Sequence, residues 1–311
     1  MSPSKWLCAI VFLTACGDTP MTDAGVASRD AGSRPDAGPP PPRCMVATGL
    51  PDPLVCDGHA ELCDRRYDEV AFPMTHNAMS SEEDDFIAPN QGRNLWHQLE
   101  DGVRGFMLDT HEGRDGGVWL CHGSCGVLGE RPLSEGLRDL REHMDCHPSD
   151  VLTIIFEAHV DEDAMVQAFE DAGMLDYVHT QALGAPWPTL RAMIESGRRL
   201  VVFTESPDVS VPWYHYAYAY TWDNDYAAMT AADFDCVPNR GDASNAIFTL
   251  NHFLTAPLAS RMLAEMVNHD PELSAHVDRC TTEAGRIPNF VALDFYDDSD
   301  LFVVVDRLNG L

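Results

Sequence analysis

The chain has 311 residues, of which 50 are Asp or Glu and 20 are Lys or Arg, so its formal net charge is −30. This charge excludes a nucleic-acid-binding protein, because binding to phosphates needs clustered cations, and it disfavours electrostatic docking on strongly anionic bilayers. Hydrophobic residues make up 45% of the chain, which is typical of a globular protein, and no apolar run reaches the ~18 residues of a membrane-spanning helix.

The first predicted element is an export signal followed by a lipid-attachment site. Lys5 supplies a positive charge, and residues 6–15 form a short apolar segment. The tetrapeptide Leu13-Thr14-Ala15-Cys16 resembles a bacterial lipobox, in which Cys16 is lipidated after cleavage. We therefore predict that residues 1–15 are a lipoprotein signal peptide and that the mature chain is exported and anchored in the cell envelope. An ordinary secretory signal that is cut nearby is the alternative.

Residues 16–43 are predicted to form a linker between the lipid anchor and a folded domain. From residue 17 onward they contain six prolines and three Asp-Ala-Gly triplets. Such a composition buries too little apolar surface to fold, and it is typical of a partly stiff tether. The remaining residues, 44–311, are predicted to form one domain, whose length is typical of an α/β barrel.

Eight cysteines follow the signal peptide and the lipidation site: Cys44, Cys56, Cys63, Cys121, Cys125, Cys146, Cys236 and Cys280. An even number in an exported chain indicates disulfides, although the sequence cannot fix their pairing. The pairs that we predict are Cys56–Cys63 and Cys236–Cys280. A zinc site in the segment Cys121-His122-Gly123-Ser124-Cys125 is the alternative, but no second pair of ligands with similar spacing is evident.

Strand-like and helical segments alternate along the domain. Strands are predicted at 70–74, 105–109, 118–122, 151–157, 200–203, 246–250 and 290–295. Helices are predicted at 95–101, 133–146, 162–172, 190–196 and 257–268. The alternation of tyrosines over 214–220 predicts an extended segment with one aromatic face, which is either packed inside or a membrane contact. Repeated strand–helix units in a domain of this length predict a parallel α/β barrel.

Polar side chains stand at the downstream ends of the predicted strands. They are His76, Asn77, Asp109, His122, Glu157, Glu205 and Asp294. In a parallel barrel these ends meet on one face, which is where active sites lie. The sequence therefore predicts one polar site that is assembled from several strands.

Several segments, taken in chain order, form a recognisable set. They are 72–80 (FPMTHNAMS), 102–109 (GVRGFMLD), 118–122 (VWLCH) and 148–157 (PSDVLTIIFE), followed by 238–241 (PNRG), 251–253 (NHF) and 288–296 (PNFVALDFY). Together they resemble the X domain of the phosphatidylinositol-specific phospholipase C family, including the X-domain-like proteins of plants and bacteria. The resemblance covers about residues 56–306. It implies an irregular TIM barrel that cleaves phosphodiesters through two histidines.

Two histidines fit this chemistry, because one proton must be removed from the attacking hydroxyl and another delivered to the leaving oxygen. We assign His76 as the general base and His122 as the general acid. Asp294 is expected to orient His76 and to hold the tautomer of its imidazole, unless it only caps the turn after the last strand. Two structural histidines are the alternative.

The residue at position 109 bears on how the phosphate charge is compensated. Metal-independent bacterial members of the family place an Arg there, whereas calcium-dependent members place an acid, as this chain does. Asn77, Asp109 and Glu157 would then supply oxygen ligands for Ca²⁺. Met107 stands where calcium-dependent members carry another acid, so the affinity is expected to be weak. The alternative is that the carboxylates bond Arg104 or backbone groups.

His111 and Glu205 are predicted to bind the substrate. His111 and Glu112 follow Asp109 in a predicted loop, and a solvated loop without substrate contacts is the alternative for them. The whole pattern predicts a monomeric, lipid-anchored phosphodiesterase whose substrate is phosphatidylinositol or a related phospholipid or glycolipid. A glycerophosphodiester- or sphingomyelin-type phosphodiesterase is one alternative, but these relatives usually carry a Glu-x-Asp pair where this chain has Met107-Leu108-Asp109. A non-catalytic surface-binding module is the other alternative, and it would be expected to have lost one histidine or a metal-binding acid.

Overall fold

Eleven β-strands, counted over the residues that the structure describes, form one curled sheet. The computed structural model describes residues 43–44, 55–123, 125–255 and 258–311, which belong to a unit spanning Pro42–Leu311. The predicted signal peptide, the lipidation site Cys16 and the linker up to residue 42 lie outside the described residues. The strands are β1 (Phe72–Thr75), β2 (Gly105–Glu112), β3 (Val118–Leu120), β4 (Arg131–Pro132), β5 (Leu152–Ala158), β6 (Leu200–Thr204), β7 (Tyr214–Tyr216), β8 (Thr221–Asp223), β9 (Arg240–Gly241), β10 (Ile247–Asn251) and β11 (Phe290–Leu293).

Eight of these strands are parallel and follow one another around the sheet in chain order. From β1 the pairing runs through β2, β5 and β6 to β7; in the other direction it runs through β11 and β10 to β8. Within the described ranges no backbone pairing joins β7 to β8, so the barrel is open there. The remaining strands are antiparallel additions to β2 and β8. This is the irregular TIM barrel of the α/β class that the sequence predicts.

Eight α-helices lie in the described part of the chain: α1 (Leu95–Asp101), α2 (Leu133–Cys146), α3 (Glu162–Asp171), α4 (Leu190–Ser196), α5 (Ala217–Tyr220), α6 (Arg261–Glu265), α7 (Glu272–Ala284) and α8 (Leu301–Asn309). The bounds of α1, α2 and α4 are those predicted. The helix predicted at 257–268 is present only as the short α6, which begins after the Ser260 cap, and residue 257 lies outside the described ranges. None of the described helices is long and apolar enough to cross a membrane.

Alternating side chains along the strands build two hydrophobic layers. The barrel interior contains Phe72, Met74, Phe203 and Phe290, among others, while the opposite faces of the strands pack against the helices. The ring of Tyr67 lies in the interior cluster and its hydroxyl lies 2.6 Å from the hydroxyl of Thr153. Apolar side chains therefore fill the barrel below the carboxyl ends of its strands.

The tyrosine-rich segment differs from the prediction. β7 ends at Tyr216 and the chain turns at once into the single helical turn α5, so the tyrosines do not share one face of an extended segment. The hydroxyl of Tyr218 donates to Glu205 at 2.8 Å, and that of Tyr220 donates to the carbonyl of Gln181 at 2.8 Å. Hydrogen bonds to neighbouring segments, which the alternation pattern cannot show, fix these side chains.

Four disulfides link the eight cysteines of the domain: Cys44–Cys146, Cys56–Cys63, Cys121–Cys125 and Cys236–Cys280. Both predicted pairs are among them. The zinc alternative at Cys121–Cys125 is wrong for this oxidised form, because a sulfur in a disulfide is not a thiolate and offers no metal ligand. The first of these bonds joins residue 44, next to the predicted linker, to the end of α2.

Candidate active site

Inward-facing positions on the barrel strands lead directly to a polar cleft. Because side chains alternate, the interior residues Phe72 and Met74 of β1 place the side chain of His76 on the same face. By the same rule, Glu157 projects from the same face of β5 as the interior residue Ile155. His76, Asn77, Asp109 and Glu157 line the cleft, together with His122, Glu205 and Asp294. Asp109 and Glu157 lie within β2 and β5, four others come directly after barrel strands, and His122 comes from elsewhere.

The ring of His76 is held on both of its sides. Its Nδ1 lies 2.9 Å from the carboxylate of Asp294, which also accepts a hydrogen bond from Asn90 at 3.1 Å. Phe253 stacks on the imidazole, with ring centroids 3.8 Å apart and planes tilted by 4°. Asp294 is therefore placed to accept a hydrogen bond from Nδ1–H, which leaves the Nε2 lone pair available to act as a base.

Asn77 connects His76 to the neighbouring carboxylate. Its backbone has a φ of 45°, a left-handed conformation that Asn tolerates better than most residues. One end of its amide lies 3.2 Å from His76 Nε2, and the other lies 3.1 and 3.2 Å from the oxygens of Asp109. With nitrogen towards Asp109 the amide donates to that carboxylate, and its oxygen accepts from Nε2–H in the imidazolium form of His76. With oxygen towards Asp109, the amide oxygen of Asn77 and a carboxylate oxygen of Asp109 face the same point, as the ligands of a cation do.

Negative charge accumulates around Asp109. It lies opposite Glu157 in the parallel pairing of β2 with β5. Burial raises the pKa of Asp109 well above its usual range, and the negative charges of Glu157 and Glu205 raise it further. A buried carboxylate with acidic neighbours and an amide oxygen within reach fits a hard divalent cation, so Asn77, Asp109 and Glu157 could hold Ca²⁺.

His122 reaches the cleft from a loop rather than from a barrel strand. The strand predicted to end at 122 ends at Leu120 and is antiparallel to β2. The backbone N–H of Cys121 donates to the carbonyl of Asp109 at 3.3 Å, and the Cys121–Cys125 disulfide closes the loop around the histidine. Burial lowers the pKa of His122, and the positive charge that His76 can carry lowers it further. The two histidines are therefore electrostatic neighbours.

Arg240 is a cleft residue to which the sequence assigned no role. Its Nη1 donates to both oxygens of Glu205, at 2.9 and 3.0 Å, and its Nε donates to Asp223 at 2.9 Å. Its guanidinium also lies 4.3 Å from the ring centroid of Tyr226. It belongs to the segment PNRG that carries part of the family resemblance, but a motif alone does not show its ion-pair partners. Glu205 therefore lines the cleft as half of a fixed ion pair.

His111 lies beside the cleft rather than among its lining residues, and its role in substrate binding stays a prediction. It belongs to β2, where it pairs with Trp119 of β3, and its ring stacks on that of His159 with centroids 4.3 Å apart. His159 lines the cleft instead and contacts Glu157 at 2.9 Å. The prediction treated the residues after Asp109 as a loop, whereas β2 continues to Glu112 because β3 pairs with its end.

Comparison with known proteins shows relatives over most of the chain. Residues 62–309 match the family model described as PI-PLC X 1. "PI-PLC X domain-containing protein 1" of Arthroderma benhamiae is 31% identical over 284 residues, which cover 83% of this chain and 90% of that protein. An "Uncharacterized secreted protein" of the same fungus is 27% identical over 286 residues, covering 82% of this chain and 64% of that protein. A solved structure of a phosphatidylinositol-specific phospholipase C from Staphylococcus aureus has a TM-score of 0.55 at 14% identity, covering 78% of this chain and 93% of that chain, which shows a shared fold.

Proposed function

The chain belongs to the PI-PLC X domain family, and we propose that it is an exported phosphodiesterase that uses two histidines as general base and general acid. The observation that carries this proposal is the arrangement of the two histidines in the cleft. Asp294 contacts the Nδ1 of His76, and His76 is close enough for its charge to act on His122. A non-catalytic module has no need of a buried carboxylate that holds one histidine tautomer.

His76 is the proposed general base. With Nδ1–H donated to Asp294, its Nε2 accepts the proton of the attacking hydroxyl, and Asp294 stabilises the imidazolium that forms. The stacked ring of Phe253 and the buried surroundings of Asp294 keep the imidazole in one orientation. Preorganisation of this kind means that the base needs little rearrangement before it reacts.

His122 is the proposed general acid. It delivers a proton to the leaving oxygen on the other side of the phosphate. Its lowered pKa makes the protonated ring a stronger acid than an ordinary imidazolium. Because only the protonated form can donate, this role favours a mildly acidic working pH.

Calcium is the proposed cofactor, held by Asn77, Asp109 and Glu157. When bound, it would supply positive charge to the phosphate oxygens in the transition state. The chain's own residues set the conditions for binding, because the negative charges that raise the pKa of Asp109 also attract a cation. Met107 lines the same cleft and adds no oxygen ligand, which supports a weak site.

The proposed substrate is phosphatidylinositol or a related phospholipid or glycolipid. The part of the cleft that contains Glu205, Arg240 and Asn251 encloses a cavity of about 150 Å³. Side chains that offer fixed donors and acceptors suit a head group with several hydroxyls. The export and the lipid anchor at Cys16 are part of the same proposal; the four disulfides and the relative named as secreted support export.

A substrate screen tests this function. Purified domain would be mixed with phosphatidylinositol, a glycosylated phosphatidylinositol, glycerophosphodiesters and sphingomyelin, with and without millimolar calcium, and the products followed by phosphorus NMR. We expect cleavage of the inositol lipids and stimulation by calcium. Cleavage of only glycerophosphodiesters or sphingomyelin would overturn the substrate assignment. Cleavage of none of them, by protein shown to be folded, would contradict the enzyme assignment.

A further inference from the structure

A second cluster of metal-ligating side chains lies between α1 and α2, among residues that the proposed reaction does not use. It consists of Glu100 on α1, His143 in the last turn of α2, and His147, which caps that helix. The two histidines are four residues apart, so they project from the same helical face. Their rings stack with centroids 4.1 Å apart and an angle of 11°.

The distances within this cluster suit a tetrahedral ion. Oε1 of Glu100 lies 3.3 Å from Nδ1 of His143 and 3.3 Å from Nε2 of His147. Zinc bonds of about 2.0–2.1 Å place neighbouring ligand atoms of a tetrahedron about 3.3 Å apart. Glu100 therefore already has this spacing from each histidine, and the three ligand atoms lie within 4.8 Å of one another. Binding a shared ion needs a tilt of the stacked rings, because the lone pair of each imidazole lies in its own ring plane.

A second layer of residues orients the buried histidine. His143 is 1% exposed, and its Nε2 lies 2.9 Å from the carboxylate of Asp150. Arg104 contacts the same carboxylate at 2.7 Å and fixes its position. A neutral imidazole that donates Nε2–H to Asp150 carries its lone pair on Nδ1, which faces Glu100. A carboxylate behind a ligating histidine is the usual support of a metal site.

We propose that Glu100, His143 and His147 form a binding site for a divalent transition metal such as zinc, with water as the fourth ligand. The ligand set of two imidazoles and one carboxylate suits zinc and neighbouring first-row metals better than calcium. The ion would cross-link α1 to α2 next to Cys146, whose disulfide holds Cys44. It would stabilise the end of the domain where the predicted linker joins.

The competing structure is an imidazolium form of His143 that bridges the carboxylates of Glu100 and Asp150 without metal. The two structures differ in what they need from His147. A metal needs it as a ligand, whereas a bridging imidazolium leaves it as an exposed neighbour. Removal of the His147 imidazole therefore separates them.

Cobalt is a suitable probe, because it occupies zinc sites and its visible absorption reports tetrahedral coordination. The full domain, treated with chelator, would be titrated with Co²⁺ and then with Zn²⁺ as wild type, His147→Gln, Glu100→Gln and His97→Gln. His97→Gln is the matched control, because His97 also lies on α1, is 41% exposed like His147 at 40%, and pairs with Glu83. Phosphodiester cleavage in each variant would show that the active site is intact.

We expect one equivalent of Co²⁺ with tetrahedral absorption in the wild type and in His97→Gln, displaced by Zn²⁺. Affinity should be at least about tenfold weaker in His147→Gln and Glu100→Gln, and zinc should raise the melting temperature of only the first two proteins. No tetrahedral cobalt band in the wild type, or equal affinity in His147→Gln, would overturn the proposal. Equal loss in His97→Gln would also overturn it.

Discussion

At the scale of single residues, the acidic side chains of the cleft differ in whether a cationic side chain pairs with them. The ion pairs of Arg240 with Glu205 and Asp223 offset part of the negative charge of these two acids. Asp109 has no such cationic partner among the described residues, and burial together with Glu157 and Glu205 raises its pKa. The ionised form of Asp109 is therefore costly in the metal-free protein, and a bound cation would remove that cost.

Replacement of Asp109 by Asn tests this balance. Asn resembles the protonated carboxyl, so Asp109→Asn should leave the melting temperature at pH 7 unchanged or raise it. Calcium affinity, which we expect near 10⁻⁴–10⁻³ M in the wild type as in extracellular modules, should fall by about tenfold or more. Calorimetric titration and turnover against free calcium measure both effects.

The control for this variant is Asp163→Asn, which removes the same charge from an exposed position on α3. It should leave calcium binding unchanged. A calcium response of Asp109→Asn equal to that of the wild type would contradict the role of Asp109 and leave another cation to stabilise the phosphate.

At the scale of elements, β7 is the last strand on one side of the open barrel, and a buried histidine holds it in place. Nδ1 of His215 donates to the carbonyl of Val202 on β6 at 3.0 Å, while Nε2 accepts the backbone N–H of Gln181 at 3.0 Å. The second bond requires the neutral ring, because a protonated Nε2 cannot accept. Burial lowers the pKa of His215, and the positive charge of a protonated His179 would lower it further.

This arrangement predicts acid sensitivity. Because the folded-state pKa lies below the unfolded value of about 6.5, the unfolded chain binds more protons, so the contribution is complete above that pH and declines below it. The wild type should lose stability relative to His215→Gln as the pH falls below 6.5, by at most about 1.4 kcal/mol per pH unit.

Denaturant unfolding at several pH values between 7 and 4.5 measures the difference between the two proteins. His97→Gln, which removes a half-buried histidine paired with Glu83, controls for a general effect of losing an imidazole and should not show this gain in acid. A constant difference between wild type and His215→Gln across the range would show that the ring of His215 is not held neutral.

The elements that the sequence predicts well are those with strong local patterns. Leucines on one face specify α2. Side-chain caps mark the starts of the other two helices, with Asn94 before α1 and Thr189 before α4. Helix α7 was not predicted, because His276 and Cys280 occupy two of its four buried positions and interrupt the apolar stripe. The end of β2 was mistaken for a loop, because its pairing with β3 depends on residues distant in sequence.

The sequence predicts those site residues that continue the alternation of side chains between the two faces of a strand. His76, Asp109, Glu157 and Asp294 follow this rule and converge. The rule does not identify Arg240, whose place depends on acids from two other strands, or the position of His122, which depends on a disulfide-closed loop. Long-range contacts of this kind leave no local signal in one sequence.

At the scale of the whole molecule, the net charge of −30 opposes approach to an anionic bilayer. The proposed lipid anchor would hold the barrel at the membrane without any help from surface charge, and weakly bound calcium would lower the charge of the cleft itself. The central claim is independent of the anchor: two histidines from different parts of the barrel share one cleavage reaction.

A comparison of leaving groups tests that claim most directly. Turnover of the wild type, His76→Ala and His122→Ala would be measured on an inositol phosphodiester with an alkyl leaving group and on its p-nitrophenyl analogue, after circular dichroism confirms folding. With the alkyl substrate each variant should lose about 10²–10⁴ in rate. With the p-nitrophenyl substrate, whose leaving group needs no proton, His122→Ala should recover most of the wild-type rate while His76→Ala stays impaired. Equal impairment of His122→Ala on both substrates, or a near-native rate of His76→Ala, would contradict the account.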